Sequence, residues 1–97
     1  MSTRPHVVVL TFQLSIPGCR SLKEKRGVLR SVVDRLRSRY PVSVAETGSQ
    51  DVHDRGEVTV AFVTSDARRG DSIASRVDTF LEETPRVLIL GTRREDH

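Results

Sequence analysis

The first segment of the chain, residues 6–16, places an apolar residue at every second position. A period of two predicts a β-strand with one strongly apolar face. Pro17 and Gly18 end this strand, because both residues favour turns. Shorter alternating segments follow, and we predict further strands at residues 42–45, 58–63 and 87–90.

Two other segments carry apolar residues at helical spacing. The first begins at Ser21, which forms a capping-box pattern with Glu24. It ends before Pro41, because the residue preceding a proline disfavours helical dihedrals. The second helix begins after Asp66, a residue type that favours the N-cap position, and stops before Pro85.

The predicted order is therefore β-α-β-β-α-β. With right-handed crossovers this order gives an α+β, ferredoxin-like fold, a four-stranded antiparallel sheet with two helices on one face. We expect one domain over residues 1–97, because this length supports a single modest core. Its ordered core covers about residues 6–91, residues 47–56 form a hairpin loop, and residues 92–97 continue a charged, frayed tail that begins at Gly91.

The sheet face that points away from the helices is predicted to be small and weakly polar. Its residues are Thr11, Gln13, Ser15, Ser43, Ala45, Thr59, Ala61 and Val63. RNA-recognition motifs stack bases on aromatic residues of this face, and none is present here. The face is either solvated or covered by a second copy of the chain in a homodimer.

The first helix concentrates positive charge. Residues 20–39 hold eight basic and two acidic residues, an excess of six in a chain with a net charge of +3. Such an excess indicates an acidic partner, most commonly nucleic acid. At 100° per residue one flank carries a ridge formed by Lys23, Arg26, Arg30 and Arg37. Arg35 and Arg39 lie on the opposite flank. The ridge either contacts successive phosphates or is a solvated surface on which Asp34 pairs with its arginines.

Lys25 falls on the apolar stripe of the same helix. A lysine there must reach water or meet an acid. Glu46 has the strand parity of Val44, and it lies at the end of the sheet where the helix begins. We predict a Lys25–Glu46 ion pair, which either locks the helix to the sheet or holds a functional carboxylate.

The predicted hairpin loop brings polar residues to the start of the first helix. They are Gln50, Asp51, His53, Asp54 and Arg55. Basic residues and free N–H groups at a helix start suit a phosphate or carboxylate. Asp51, His53 and Asp54 are also metal-ligand and acid–base types, but their spacing matches no motif, and a plain polar hairpin tip is the alternative. We predict no metal, no cofactor and no catalytic residue.

The sequence shows no pattern typical of a membrane span or of an exported protein. No apolar stretch approaches the roughly 20 residues needed to cross a bilayer, and the first six residues lack a signal-peptide pattern. The single cysteine, Cys19, excludes an internal disulfide and fits a reducing compartment. These features predict a cytoplasmic protein that does not enter the membrane.

Residues 21–26 (SLKEKR), 28–30 (VLR) and 42–46 (VSVAE), followed by Gln50 and Asp51, resemble the YlxP-like family, a small bacterial family of unknown function. The likeness spans about residues 7–90 and implies a ferredoxin-like fold. Family members often lie in gene clusters with translation-initiation and ribosome-maturation factors, which implies a role linked to RNA or the ribosome. The resemblance implies no catalytic residue. Its matching positions near the start of the first helix are Lys25, Arg26, Glu46, Gln50 and Asp51.

The chain departs from the family pattern at residues 47–49 and 56–57, where bulkier or more apolar residues are expected. These positions flank the predicted hairpin loop, so its shape is the part of the fold that the resemblance specifies least.

Three functions are compatible with these residues. The first is a non-enzymatic RNA- or ribosome-associated protein that binds phosphate backbone through Arg20, Lys23, Arg26, Arg30, Arg37 and Arg55. The second is an oligomeric ferredoxin-like module that binds a small anionic ligand or a protein partner. The third is an enzyme that uses Glu46, Asp51 or His53, although no nucleophile–base pair accompanies them.

Overall fold

A computed structural model describes residues 4–49 and 51–97. The elements are β1 (His6–Ser15), α1 (Leu22–Arg39), β2 (Ser43–Gly48), β3 (Arg55–Thr64), α2 (Ala67–Glu82) and β4 (Leu88–Asp96). The strands form one sheet in the order β2-β3-β1-β4, and all neighbouring strands are antiparallel. Both helices cover one face, so the predicted ferredoxin-like fold is confirmed. Neither helix in the described ranges is long and apolar enough to span a membrane.

The core lies between this sheet face and the two helices. Alternate residues of β1, including Phe12 and Leu14, are fully buried against apolar residues of α1 and α2 such as Leu29 and Val77. Each such side chain stabilises the fold by about 1.5–3 kcal/mol through removal from water. A Cβ atom on Gly56 would lie 2.9 Å from Leu29 Cδ1, so β3 approaches α1 too closely for a larger residue. This contact explains one departure from the family pattern.

The start of α1 is closed by its own capping groups. The Ser21 hydroxyl accepts a hydrogen bond from the Glu24 N–H at 3.1 Å. The Glu24 carboxylate accepts one from the Arg20 N–H at 3.2 Å and pairs with the Arg86 guanidinium. These bonds, led by that from Arg20, lower the pKa of Glu24. The Ser21 half of the predicted capping box is thus present, whereas the Glu24 carboxylate bonds the N–H of Arg20 rather than that of the N-cap residue Ser21. Glu24 also ties α1 to the segment before β4.

The C-terminal prediction is wrong. Residues 91–96 are not a frayed tail but the second half of β4, which pairs with β1 as far as the Val8–Asp96 position. A β-bulge between the two halves changes the register near Gln13. The long strand β1 would otherwise leave a row of unpaired N–H and C=O groups along this side, and pairing with β4 satisfies them.

The central hairpin loop is shorter than predicted. β2 continues to Gly48 and β3 begins at Arg55, so the connection covers residues 49–54. A bulge between Glu46 and Gly48 accommodates the extra residue. A Cβ atom on Gly48 would lie 2.5 Å from a carboxylate oxygen of Glu57, the far end of a flexible side chain, so a larger residue there requires only that Glu57 move.

We expect Asp96 to titrate far below a free aspartate. Its carboxylate accepts hydrogen bonds from Arg94 at 2.8 Å and from His6 at 2.8 Å, and these bonds, Arg94 first, lower the pKa of Asp96 to about 2. Because the pKa is lowered in the folded state, this contribution to stability is complete above the unfolded pKa of about 3.8 and is lost progressively as the pH falls from there through about 2. A ¹³C carboxyl NMR titration measures this value directly. Arg94→Gln should move it towards 3.8, and a wild-type midpoint already near 3.8 would contradict the assignment.

Candidate nucleic-acid interface

A groove of about 660 Å³ separates α1 from β2, which is an edge strand of the sheet. We call it the basic groove. Its α1 side carries Arg26, Arg30 and Arg37, three residues of the predicted ridge, and Glu46 and Asp51 line it from the side of β2 and the loop. The structure therefore brings together five of the residues singled out from the sequence.

The arginines of α1 are exposed and carry no ion pair. No carboxylate of the described residues lies within 4.0 Å of any of the five arginines in this helix. The predicted pairing of Asp34 with Arg30 or Arg37 is therefore not formed, although Asp34 also lines the groove. The Arg37 guanidinium donates one hydrogen bond to the Val44 carbonyl at 2.8 Å and so covers part of the free strand edge. The arginines of this helix thus have no carboxylate partner among the described residues, although Asp34, Glu46 and Asp51 line the same groove as Arg26, Arg30 and Arg37.

The opposite flank of α1 faces α2 across a second concave surface of about 340 Å³. We call it the α1–α2 cleft, and Arg35, Arg39 and Arg76 line it. The Arg35 guanidinium lies 5.1 Å from the centre of the Phe80 ring, and that of Arg39 lies 5.3 Å from the same centre. Such cation–π contacts hold the planar groups in place without neutralising them. The helical periodicity placed Arg35 and Arg39 on this flank, but the contribution of α2 depends on tertiary packing.

Lys25 is 1% exposed and does not pair with Glu46. Its ammonium group donates to the backbone carbonyl of Ser49 and, at 2.8 Å, to that of Val52. These carbonyls belong to the loop of residues 49–54, in which Ser49 has a left-handed φ of 57°. The predicted ion pair is therefore wrong, because backbone oxygens already satisfy the buried charge. Lys25 therefore attaches the loop, which includes Asp51, to the start of α1.

The remaining predicted residues lie outside the basic groove. Arg20 and Lys23 are exposed near the start of α1. Arg55 is the first residue of β3, and the alternation of that strand assigns it to the sheet face opposite the helices. Gln50 lies outside the described residues. His53 is exposed, and within the described ranges no group of three His, Cys, Asp or Glu side chains could hold a metal ion.

Comparisons with known sequences identify the family to which this chain is similar. The model of the family described as "Protein of unknown function (DUF503)" matches residues 7–94. The uncharacterized protein YlxP of Bacillus subtilis (strain 168) is 35% identical over 75 residues, which cover 77% of this chain and 82% of that protein. The residues that the family model matches include both helices and most of each strand.

Similar solved structures support the fold alone. The structural-genomics protein YJCS aligns with a TM-score of 0.54 over 92% of this chain and 96% of its own, at 5% identity. Protein SO0527 from Shewanella oneidensis aligns with a TM-score of 0.50 over 99% of this chain and 91% of its own, at 17% identity.

Proposed function

Since the chain belongs to the DUF503 family of proteins of unknown function, we propose from its own residues that it binds the phosphate backbone of RNA through α1 without catalysing a reaction. The observation that carries the proposal is the set of five arginines on one helix, all exposed and none paired with a carboxylate of residues 4–49 or 51–97. Unpaired guanidinium groups suit phosphate oxygens because they offer several donors in one plane.

The spacing along α1 supports contact with successive phosphates. Arg26 and Arg30 are four residues apart, which corresponds to about 6 Å along a helix, and Arg37 lies about 10.5 Å further on. Contacts of this kind position a nucleic acid without reading its sequence. RNA in ribosomal subunits, in the cytoplasm, is the target that we propose.

A titration against RNA tests this proposal. Fluorescence anisotropy would measure binding of the purified protein to a structured RNA, and to ribosomal subunits, at about 50 and about 150 mM salt. We expect saturable binding. The logarithm of the association constant should fall linearly with the logarithm of the salt concentration, with a slope of about −3 to −5 for three to five phosphate contacts. Absence of saturable binding even at the lower salt concentration would contradict the proposal.

A second proposal concerns the sheet face that the helices leave open. Val63, 68% exposed, and Leu88, 59% exposed, belong to this face by their register with Val7 and Ser15. The two residues lie beside opposite ends of β1, eight positions and about 27 Å apart, so a partner that contacts both must extend along the strand. We propose that a second copy of the chain covers this face.

We expect the mass in solution to be twice the 10.9 kDa of the chain. Light scattering during size-exclusion chromatography measures it. Val63→Lys should give monomers, because a charge would enter the interface. Val52→Lys is the matched control, since Val52 is 45% exposed but belongs to the loop rather than the open face. A monomeric wild type, or a dimer that survives Val63→Lys, would overturn the proposal.

A further inference from the structure

Resting on the proposed function, we infer that the RNA bound by α1 is double-helical and that both flanks of the helix contact it. The phosphates of one strand lie at Arg26, Arg30 and Arg37 of the basic groove. The phosphates of the other strand lie at Arg35 and Arg39 of the α1–α2 cleft. α1 would therefore lie along a groove of the duplex with an arginine set on each side.

The aromatic residues argue against a single-stranded ligand. Proteins that bind single strands stack unpaired bases on exposed aromatic rings. The chain has four aromatic residues. Phe12, Phe62 and Phe80 are buried, and Tyr40 is half-buried against the Phe80 ring with a guanidinium of Arg39 above it. Because no ring is free to stack on a base, a ligand whose bases are already paired fits this surface better.

The second arginine set is held in place in advance. Arg35 and Arg39 stack on Phe80, and neither guanidinium has a carboxylate within 4.0 Å among the described residues. An arginine already ordered by stacking loses less side-chain entropy when it binds a phosphate. These two residues therefore add a second set of arginines, ordered by stacking, to the proposed binding surface.

The residues on the outer face of α1, between the two arginine sets, have mostly small side chains. Gly27, Ser31 and Ser38 are exposed and point away from the core at the helical period, with Asp34 beside them. A Cβ atom added to Gly27 would meet nothing within 4 Å. The two arginine sets are separated by roughly the 10–12 Å diameter of a helix. The major groove of an A-form RNA duplex is narrow and lined by phosphates on both rims, so a helix with this outline can lie over it with its arginines on both strands.

The test compares an RNA hairpin with an unstructured single strand of equal length at about 150 mM salt, a concentration at which non-specific surface attraction is screened. We expect the hairpin to bind at least about tenfold more tightly, because only the duplex engages both arginine sets. Arg35→Gln with Arg39→Gln should remove most of that difference. Arg4→Gln with Arg68→Gln is the matched control, since both residues are exposed and lie outside α1 and outside the open sheet face.

Ser31→Tyr provides a second variant, because replacing Arg35 and Arg39 also alters the packing on Phe80. It adds bulk between the two arginine sets at an exposed position and changes no charge. We expect hairpin binding to weaken by about tenfold. Equal binding of hairpin and single strand, with Arg26→Glu and Arg30→Glu still abolishing both, would overturn the duplex inference and leave the proposed function intact. Failure of both RNAs to bind would overturn the two together.

Discussion

Reversing two charges of the basic ridge, Arg26→Glu with Arg30→Glu, should weaken RNA binding by at least about a hundredfold at low salt. Each substitution removes a phosphate contact and introduces repulsion, and the slope of affinity against salt should fall by about two. The fold should persist, because both side chains are exposed and have no ion pair within the described residues. Fluorescence anisotropy measures the affinity, and circular dichroism confirms that the variant is folded.

A second double variant with the same change in net charge shows whether the loss of affinity depends on where the two arginines lie or only on the net charge of the protein. Arg4→Glu with Arg68→Glu changes the net charge by the same amount at two exposed residues outside α1 and outside the open sheet face. We expect this variant to lose much less affinity. If both double variants bind RNA equally weakly, the protein attracts RNA through its overall charge and α1 is not the interface.

Replacing the buried lysine, Lys25→Met, should lower the free energy of unfolding by about 2–4 kcal/mol. Methionine keeps the buried alkyl chain but cannot donate to the carbonyls of Ser49 and Val52, which then lose a charged partner. The wild type also pays a desolvation cost for burying the ammonium group, and methionine avoids this cost. The free energy of unfolding therefore falls by less than the sum of two charged hydrogen bonds. Chemical denaturation measures the change, and hydrogen exchange should report faster opening of residues 49–54.

Lys23→Met is the matched control for that variant, because Lys23 lies two residues earlier and is exposed. Its free energy of unfolding should change by no more than about 0.5 kcal/mol. A Lys25→Met protein as stable as Lys23→Met would show that the buried ammonium group does not hold the loop.

The elements that could be predicted from the sequence are those that bury one face and expose the other. Alternation along β1 and helical spacing along α1 follow from a single buried face, so both can be read from the chain. β4 beyond Gly91 could not, because its residues are charged on both faces and carry no apolar pattern. Its order comes from backbone pairing with β1 and from the bonds of Arg94 to Asp71 and Asp96.

The candidate site was predicted in part for the same kind of reason. Periodicity placed Lys25 on the buried stripe and Arg26, Arg30 and Arg37 on one flank, and the structure agrees. The hydrogen-bond partners of Lys25 could not be predicted from the sequence. They are backbone carbonyls, which every residue has, so no residue type indicates them. The stacking of Arg35 and Arg39 on Phe80 was equally hidden, since it depends on how α1 and α2 pack.

Chemical-shift mapping tests the central claim most directly, because it locates the bound RNA on the protein. A ¹⁵N-labelled sample would be titrated with an RNA hairpin at about 150 mM salt. We expect the largest chemical-shift changes along α1, at the amides of Gly27, Ser31 and Ser38 and at the side-chain Nε groups of its arginines. Shifts confined to the open sheet face, around Thr59 and Ala61, or no shifts at saturating RNA, would contradict this expectation.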